Sequence, residues 1–216
     1  MLIEHSDGQM SKIISFISRK GGTGKTTNAI NLATALHRAG KKVMLVETDT
    51  NYTLNTLRKM EQLKGEADGT LFEILGSHDQ QVADELIRIK QTPGLHYIIV
   101  DSAGKTTDEG IKKLCLVSDA VIVPTSLTQN DLLVTYQTVA DLAPARELNP
   151  NLKIMVLPNR IHSFTKLKTI HESLSNVNAI ILDVMVPQKN VFVNFSTVSA
   201  EKEYQPVVDE LMKHLQ

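Results

Sequence analysis

Tryptophan is absent from this 216-residue chain, and cysteine occurs once, at Cys115. A single thiol closes no internal disulfide and builds no cysteine cage for zinc or an iron–sulfur cluster. Its apolar neighbours mark Cys115 as a small core residue, and the lack of disulfides suits a reducing cytoplasm. No run of 18 apolar residues occurs, so no transmembrane helix is expected. The opening stretch MLIEHSDGQM lacks a basic n-region and an apolar h-region, so no secretory signal is read there. Excess charge of either sign is missing too. With a formal net charge of -1, any surface for nucleic acid or an anionic membrane must be local.

What remains is a globular composition, 42% hydrophobic and 22% charged. We find no internal repeat, low-complexity tract or linker, which predicts one domain over 1–216. Residues 1–10 read as a flexible extension, with Met10 as an alternative start. Short apolar runs alternate with longer amphipathic ones. Strands are predicted at Ile13–Ile17, Val43–Glu47, Tyr97–Val100, Ala120–Val123, Ile154–Leu157 and Ile180–Val186. Helices are predicted at Thr26–Arg38, Asn55–Leu63, Thr70–Leu75, Val82–Lys90, Asp108–Leu116, Asp131–Glu147, Phe164–Leu174 and Val207–His214. Continuous apolar strands suit a sheet buried on both faces, and strand–helix alternation implies right-handed βαβ units. The expected fold is α/β: a doubly wound, mainly parallel sheet with helices on both faces.

Between the first strand and the first helix lies Lys20-Gly21-Gly22-Thr23-Gly24-Lys25-Thr26-Thr27. Strand, glycine loop, Lys-Thr and helix fall in the order a phosphate-binding loop requires. The glycines let backbone N–H groups curl around phosphate oxygens, and the helix N-terminus adds positive potential. Lys25 can reach the β- and γ-phosphates, and the Thr26 hydroxyl can ligate Mg²⁺. Asp101 ends the apolar run Tyr97-Ile98-Ile99-Val100, a strand-then-aspartate pattern that gains force beside such a loop. A chain of this kind is a P-loop NTPase.

The loop departs from G-x-x-x-x-G-K-[ST]: Arg19 stands at the first glycine position and Lys20 follows. In this it resembles the deviant Walker A motif of the ParA/MinD family, most closely the short ParA-like ATPases. The resemblance covers nearly the whole chain. It implies a homodimer sandwiching two ATP molecules, with Lys20 reaching across to the partner's phosphates. It implies that Asp49 orients the attacking water and lies in the outer shell of the metal, and that Asp101 holds Mg²⁺ through water. Where the family has D-x-D-P-Q, this chain has Glu47-Thr48-Asp49-Thr50-Asn51, a departure that bears on hydrolysis rate. Asp49 also reads as a turn or helix-capping residue, and Glu47 as a structural one. Ser102-Ala103-Gly104 matches the switch that senses the γ-phosphate. Val121–Thr125 resembles the family's proline loop, and Leu157-Pro158-Asn159-Arg160 resembles its base-recognition strand end, where the asparagine meets adenine; a turn role for Asn159 is the alternative. Val186-Pro187-Gln188-Lys189 resembles the loop closing over the base. There is no N-K-x-D guanine motif, which favours ATP over GTP.

Relatives with iron–sulfur clusters need more cysteines, and MinD ends in a basic amphipathic membrane helix, whereas here Asp209 and Glu210 offset Lys213. That helix reads as packed on the core, with no membrane partner. From Leu148 to His171 there is no acidic residue, yet Lys153, Arg160, Lys166 and Lys168 occur, with His162 and His171. They form a candidate nonspecific DNA surface or a solvated helix face. The resulting expectation is a cytoplasmic, nucleoid-associated ATPase using ATP and Mg²⁺ to segregate DNA with a centromere-binding or adaptor partner protein. Its rivals are a positioner of a non-DNA cargo, a P-loop metabolic ligase and a nucleotide-binding scaffold with little turnover.

Overall fold

A computed structural model describes residues 10–67, 69–78, 80–104 and 107–215. The extension expected at 1–10 lies, apart from Met10, outside them. In chain order the elements are β1 (Lys12–Phe16), α1 (Lys25–Arg38), β2 (Val43–Glu47), α2 (Thr53–Leu63), β3 (Glu73–Gly76), α3 (Val82–Ile89), β4 (Tyr97–Asp101), α4 (Asp108–Val117), β5 (Ala120–Thr125), α5 (Gln129–Leu142), α6 (Ala145–Leu148), β6 (Lys153–Ile161), α7 (Leu167–Ser173), β7 (Ile180–Ile181), β8 (Val186–Pro187) and α8 (Gln205–Leu215).

The strands form a parallel sheet in the order β3-β2-β4-β1-β5-β6-β7, with β8 also pairing β6. The two-residue period of a strand sends alternate side chains to opposite faces. Ile14, Phe16, Leu45, Ile99, Ile122 and Met155 join α1 and α8 in one apolar layer. Ile13, Val46, Ile98, Val100, Val121 and Ile154 join α3, α4, α5 and α7 in the other. Both faces are covered, which is why these strands read as unbroken apolar runs. The α8 residues Val207, Val208, Leu211 and Leu215 are buried in the first layer. Lys12 and Lys153 donate to the Leu215 and His214 carbonyls at the end of α8, where a cation meets the negative end of the helix.

Three predicted elements differ. Thr70–Leu75, expected as a helix, contains β3 instead. Phe72 and Ile74 are buried on either side of exposed Glu73, a period of two, and Glu73–Gly76 pairs with β2 from Met44 to Glu47. The Asp131–Glu147 helix is two: α5 stops at Leu142, and Pro144, which has no N–H to donate, precedes the short α6. The Ile180–Val186 strand is reduced to two-residue pairings at β7 and β8, with exposed Asp183 between them. No helix among the described residues is long and apolar enough to cross a membrane.

The strand order places the site. β1 lies between β4 and β5, so the chain turns one way after β1 and the other way later, and a crevice opens at the carboxyl ends. In register, Phe16 stands beside Asp101, and Asp101 beside Glu47.

Candidate functional site

The loop after β1 enters α1 through Gly24, whose φ of 98° lies in the left-handed region. An added Cβ there would stand 2.2 Å from Asn159 Nδ2, so steric space and conformation both require glycine. Lys25 is 6% exposed, and its Nζ donates to the Lys20 carbonyl at 3.2 Å. Burial lowers its pKa, and the Asp101 and Asp49 charges work against that shift. The ammonium thus sits inside the curl of the loop, directed at the space Lys20–Lys25 encloses.

The Ser102–Gly104 stretch after β4 packs against this loop. Ser102 donates through its N–H and hydroxyl to the Phe16 carbonyl, at 3.3 and 2.7 Å. The Ala103 N–H donates to Thr48 Oγ1 at 2.9 Å. A Cβ on Gly104 would lie 3.1 Å from Gly21 Cα and 3.7 Å from Lys25 Nζ, so backbone meets backbone there. β1, β2 and β4 are stitched together at one point.

Asp101 is 2% exposed, and its Oδ1 has no hydrogen-bond partner among the described residues. Burial pushes its carboxyl up to about 7; a hydrogen bond from Thr26 and the Lys25 charge oppose the shift, while Glu47 and Asp49 add to it. An orphaned buried carboxylate oxygen beside a threonine hydroxyl is the donor set a hard divalent cation takes, so the residues fit Mg²⁺.

Glu47, the substitute for the family's first aspartate, has another occupation. It is 1% exposed, and its two oxygens accept from the Leu54 and Asn55 N–H groups at 2.9 and 3.3 Å. It caps α2 from the end of β2, and burial raises its pKa against those two hydrogen bonds. Between strand and helix, Asp49 Oδ1 accepts from the Asn51 N–H at 3.0 Å and the Asp49 carbonyl accepts from the Tyr52 N–H at 3.0 Å. This is a side-chain-closed turn of the kind aspartate favours. Tyr52 follows in the left-handed region, at φ 46°.

Lys20, the residue that departs from the common loop pattern, has a partner that the sequence did not reveal. Its Nζ is 2.6 Å from Asp131 Oδ1 in the first turn of α5. Asp131 also accepts from Ser126 Oγ at 2.5 Å, and its N–H donates to Thr128 Oγ1 at 3.3 Å. Burial alone would raise the Asp131 carboxyl, but bonds from Lys20 and Ser126 hold it below the ordinary carboxylate range. In sequence, Thr128-x-x-Asp131 signals only a helix start. Arg19, at the other anomalous position, pairs with Asp108 of α4 at 2.7 Å and with Asp141 of α5.

Asn159 is placed by resemblance at the adenine edge. The structure puts it beneath the phosphate loop: Nδ2 donates to the Thr23 carbonyl at 2.7 Å, and Oδ1 accepts from Asn28 at 3.3 Å. It is 3% exposed and braces the loop. Asn28, unremarked in the sequence, is fully buried and also donates to the Gly24 carbonyl at 2.7 Å. Pro187 pairs with Ile161 in β8, and the Gln188 N–H donates to the Ile161 carbonyl at 2.9 Å, so this late loop does lie against the end of β6.

The four cations do not form one patch. Lys153 begins β6 and is engaged with the end of α8, while Arg160 stands seven positions on. At about 3.3 Å per residue they lie roughly 23 Å apart, at opposite ends of the sheet. Arg160, near the end of β6, and Lys166 and Lys168, at the start of α7, flank the β6–α7 turn, and Lys168 lies 3.8 Å from Glu172. Cys115 is fully buried, and burial pushes its thiol up to about 12.

The family model described as VirC1 protein matches residues 11–212. Protein virC1 of Rhizobium rhizogenes is 28% identical over 181 residues, covering 82% of this chain and 75% of that protein. Maintenance of carboxysome distribution protein A of Halothiobacillus neapolitanus is 24% identical over 176 residues, 81% of this chain and 79% of its own length. Septum site-determining MinD of Synechocystis and chromosome partitioning ParA of Caulobacter vibrioides match shorter stretches. Among solved structures, a plasmid partition protein of Borrelia burgdorferi bound to AMPPNP superposes with a TM-score of 0.68 at 21% identity, covering 95% of this chain and 99% of that one.

Proposed function

The chain belongs to the VirC1 family, among the ParA/MinD-type P-loop ATPases, and on that premise we propose that it is an ATP-dependent dimerisation switch that positions DNA. The observation that carries this is the phosphate loop itself. Lys25 is buried inside it, facing an Asp101 carboxylate with an orphaned oxygen, and Lys20 lies free of the cradle on a carboxylate it can leave.

In this reading the loop N–H groups from Gly21, Gly22, Thr23, Gly24 and Lys25 to Thr26 and Thr27 take the phosphates, with Lys25 on the β- and γ-oxygens. Thr26 and Asp101 would hold Mg²⁺, which when bound offsets phosphate charge. Asp49 orients water, held by its turn on Asn51. Lys20 exchanges Asp131 for the γ-phosphate in a second copy of this chain. Asn159 and Asn28 keep the loop in its binding shape, and Pro187 flanks the base. Catalysis is chiefly electrostatic, with positive groups fixed before charge develops. Arg160, Lys166 and Lys168 of two copies together would contact DNA phosphates without reading sequence, and a partner protein would stimulate hydrolysis.

Light scattering and calorimetry test this together. With ATP and Mg²⁺ the wild type should dimerise, and Lys25→Ala should neither bind nucleotide nor dimerise. Wild-type affinity for Mg²⁺-ATP in Lys25→Ala would end the assignment. The carboxysome-distribution relative supports a second reading, the same switch with a protein cargo; ATP-dependent dimerisation without DNA binding at low salt would favour it.

A further inference from the structure

Beyond Asn159, whose side chain touches the phosphate loop, β6 ends and a short turn leads to α7. Arg160 is exposed in the left-handed region at φ 57°, beside the register shift between Asn159 and Ile161. The Thr165 N–H donates to the His162 carbonyl at 2.9 Å, and the Phe164 N–H meets His162 Nδ1 at 3.4 Å. The turn lifts Phe164 into solvent at 87% exposure, while Phe16, Phe72 and Phe192 are buried. Its ring tilts against His162, centroids 5.4 Å apart. Lys166 and Lys168 follow, both exposed, and no acidic residue occurs from Leu148 to His171.

At that exposure Phe164 contributes little to the core, and it stands within four positions of the exposed cations Arg160, Lys166 and Lys168. A partner complementary to it carries both negative charge and flat apolar faces. Single-stranded nucleic acid offers both in alternation: phosphates for the cations, and unpaired bases for the ring. A duplex hides its base faces in the stack.

We propose that the β6–α7 turn is a single-stranded nucleic-acid contact, in which Phe164 stacks on an unpaired base while Arg160 and Lys166 hold the flanking phosphates. It rests on the DNA reading above and names the strand form the turn takes. Asn159 donates to the Thr23 carbonyl, so the contact begins one residue along the chain from a side chain that touches the phosphate loop.

The test is anisotropy of a labelled oligothymidine and of a duplex of equal length, with the full chain, ATP and Mg²⁺, over a range of salt. Phe164→Ala should weaken oligothymidine binding roughly 5- to 150-fold, the span of one lost base stack. It should leave the salt slope and duplex affinity unchanged, and Phe164→Trp should bind as the wild type does. Lys166→Ala should instead flatten the slope by about 0.7, one phosphate contact on a single strand. Phe164→Ala should melt at the wild-type temperature, since the ring is outside the core. Unchanged oligothymidine affinity in Phe164→Ala overturns the proposal while duplex binding leaves the DNA reading standing. Loss of binding to phosphatidylserine vesicles in that variant, with oligothymidine binding intact, overturns it in favour of a membrane. A wild type that binds no DNA in any nucleotide state overturns both.

Discussion

Lys20 Nζ and Asp131 Oδ1 lie 2.6 Å apart, tying the loop lysine to the start of α5 across 111 positions of sequence. Lys20 is half-exposed, and a pair of that kind stabilises a fold by only about 0.2–1 kcal/mol. In the proposed dimer its larger effect is on availability. To reach a phosphate in a second copy, Lys20 must give up Asp131. Asp131→Asn should therefore dimerise at lower protein concentration with ATP, with little change in melting temperature. Lys20→Gln should bind ATP yet hydrolyse it poorly. Light scattering over a concentration series checks the first and phosphate release the second. A dimerisation curve identical to the wild type in Asp131→Asn would show that the pair restrains nothing.

Glu47 gives a stability prediction. Glu47→Ala leaves the Leu54 and Asn55 N–H groups at the start of α2 without their carboxylate, inside a region that is 1% exposed at residue 47. Loss of a cap typically destabilises by about 0.5–2 kcal/mol. Denaturant unfolding should show a lowered midpoint, and ATP turnover should fall because the Asp49 turn hangs between β2 and α2. An unchanged midpoint would mean that other groups satisfy the helix start.

Gly24→Ala should abolish nucleotide binding while Asn159→Ala only weakens it. The alanine would bring its Cβ to 2.2 Å from Asn159 Nδ2 at a φ of 98°, so the loop itself must move. Removing the Asn159 amide takes away one brace and leaves the Asn28 bond to the Gly24 carbonyl. Calorimetric titration with ATP and Mg²⁺ orders the two. Equal affinities would argue that loop shape is set elsewhere.

Cys115 should resist alkylation by iodoacetamide at pH 8 in the folded protein and react once unfolded. The thiolate is the reactive form, and burial pushes this thiol up to about 12. Labelling of the native chain, read by mass spectrometry, at the rate of a free thiol would contradict its place on the buried face of α4.

The phosphate loop, the apolar strands and most helices were legible in the sequence, because each is a local pattern. Glycine tolerance of positive φ, a period of two or 3.6, and an aspartate at a strand end are written in adjacent residues. Thr70–Leu75 failed by the same logic, since a short apolar run fits either period and only pairing with β2 makes it a strand. Lys153, Arg160, Lys166 and Lys168 read as one cluster along the chain, but a strand is extended and carries its two ends to opposite ends of the sheet. Glu47 as the cap of α2, Asn159 as the brace under Thr23 and Asp131 as the partner of Lys20 were decided by tertiary structure alone. The last two join groups far apart in sequence, whose nearness depends on strand order, while Glu47 reaches the start of α2 through the path of the β2–α2 loop; β1 set between β4 and β5 brings those carboxyl ends to one crevice. Residue type and spacing fix which side chains have charge or an amide to offer; only the packed sheet fixes which of them meet.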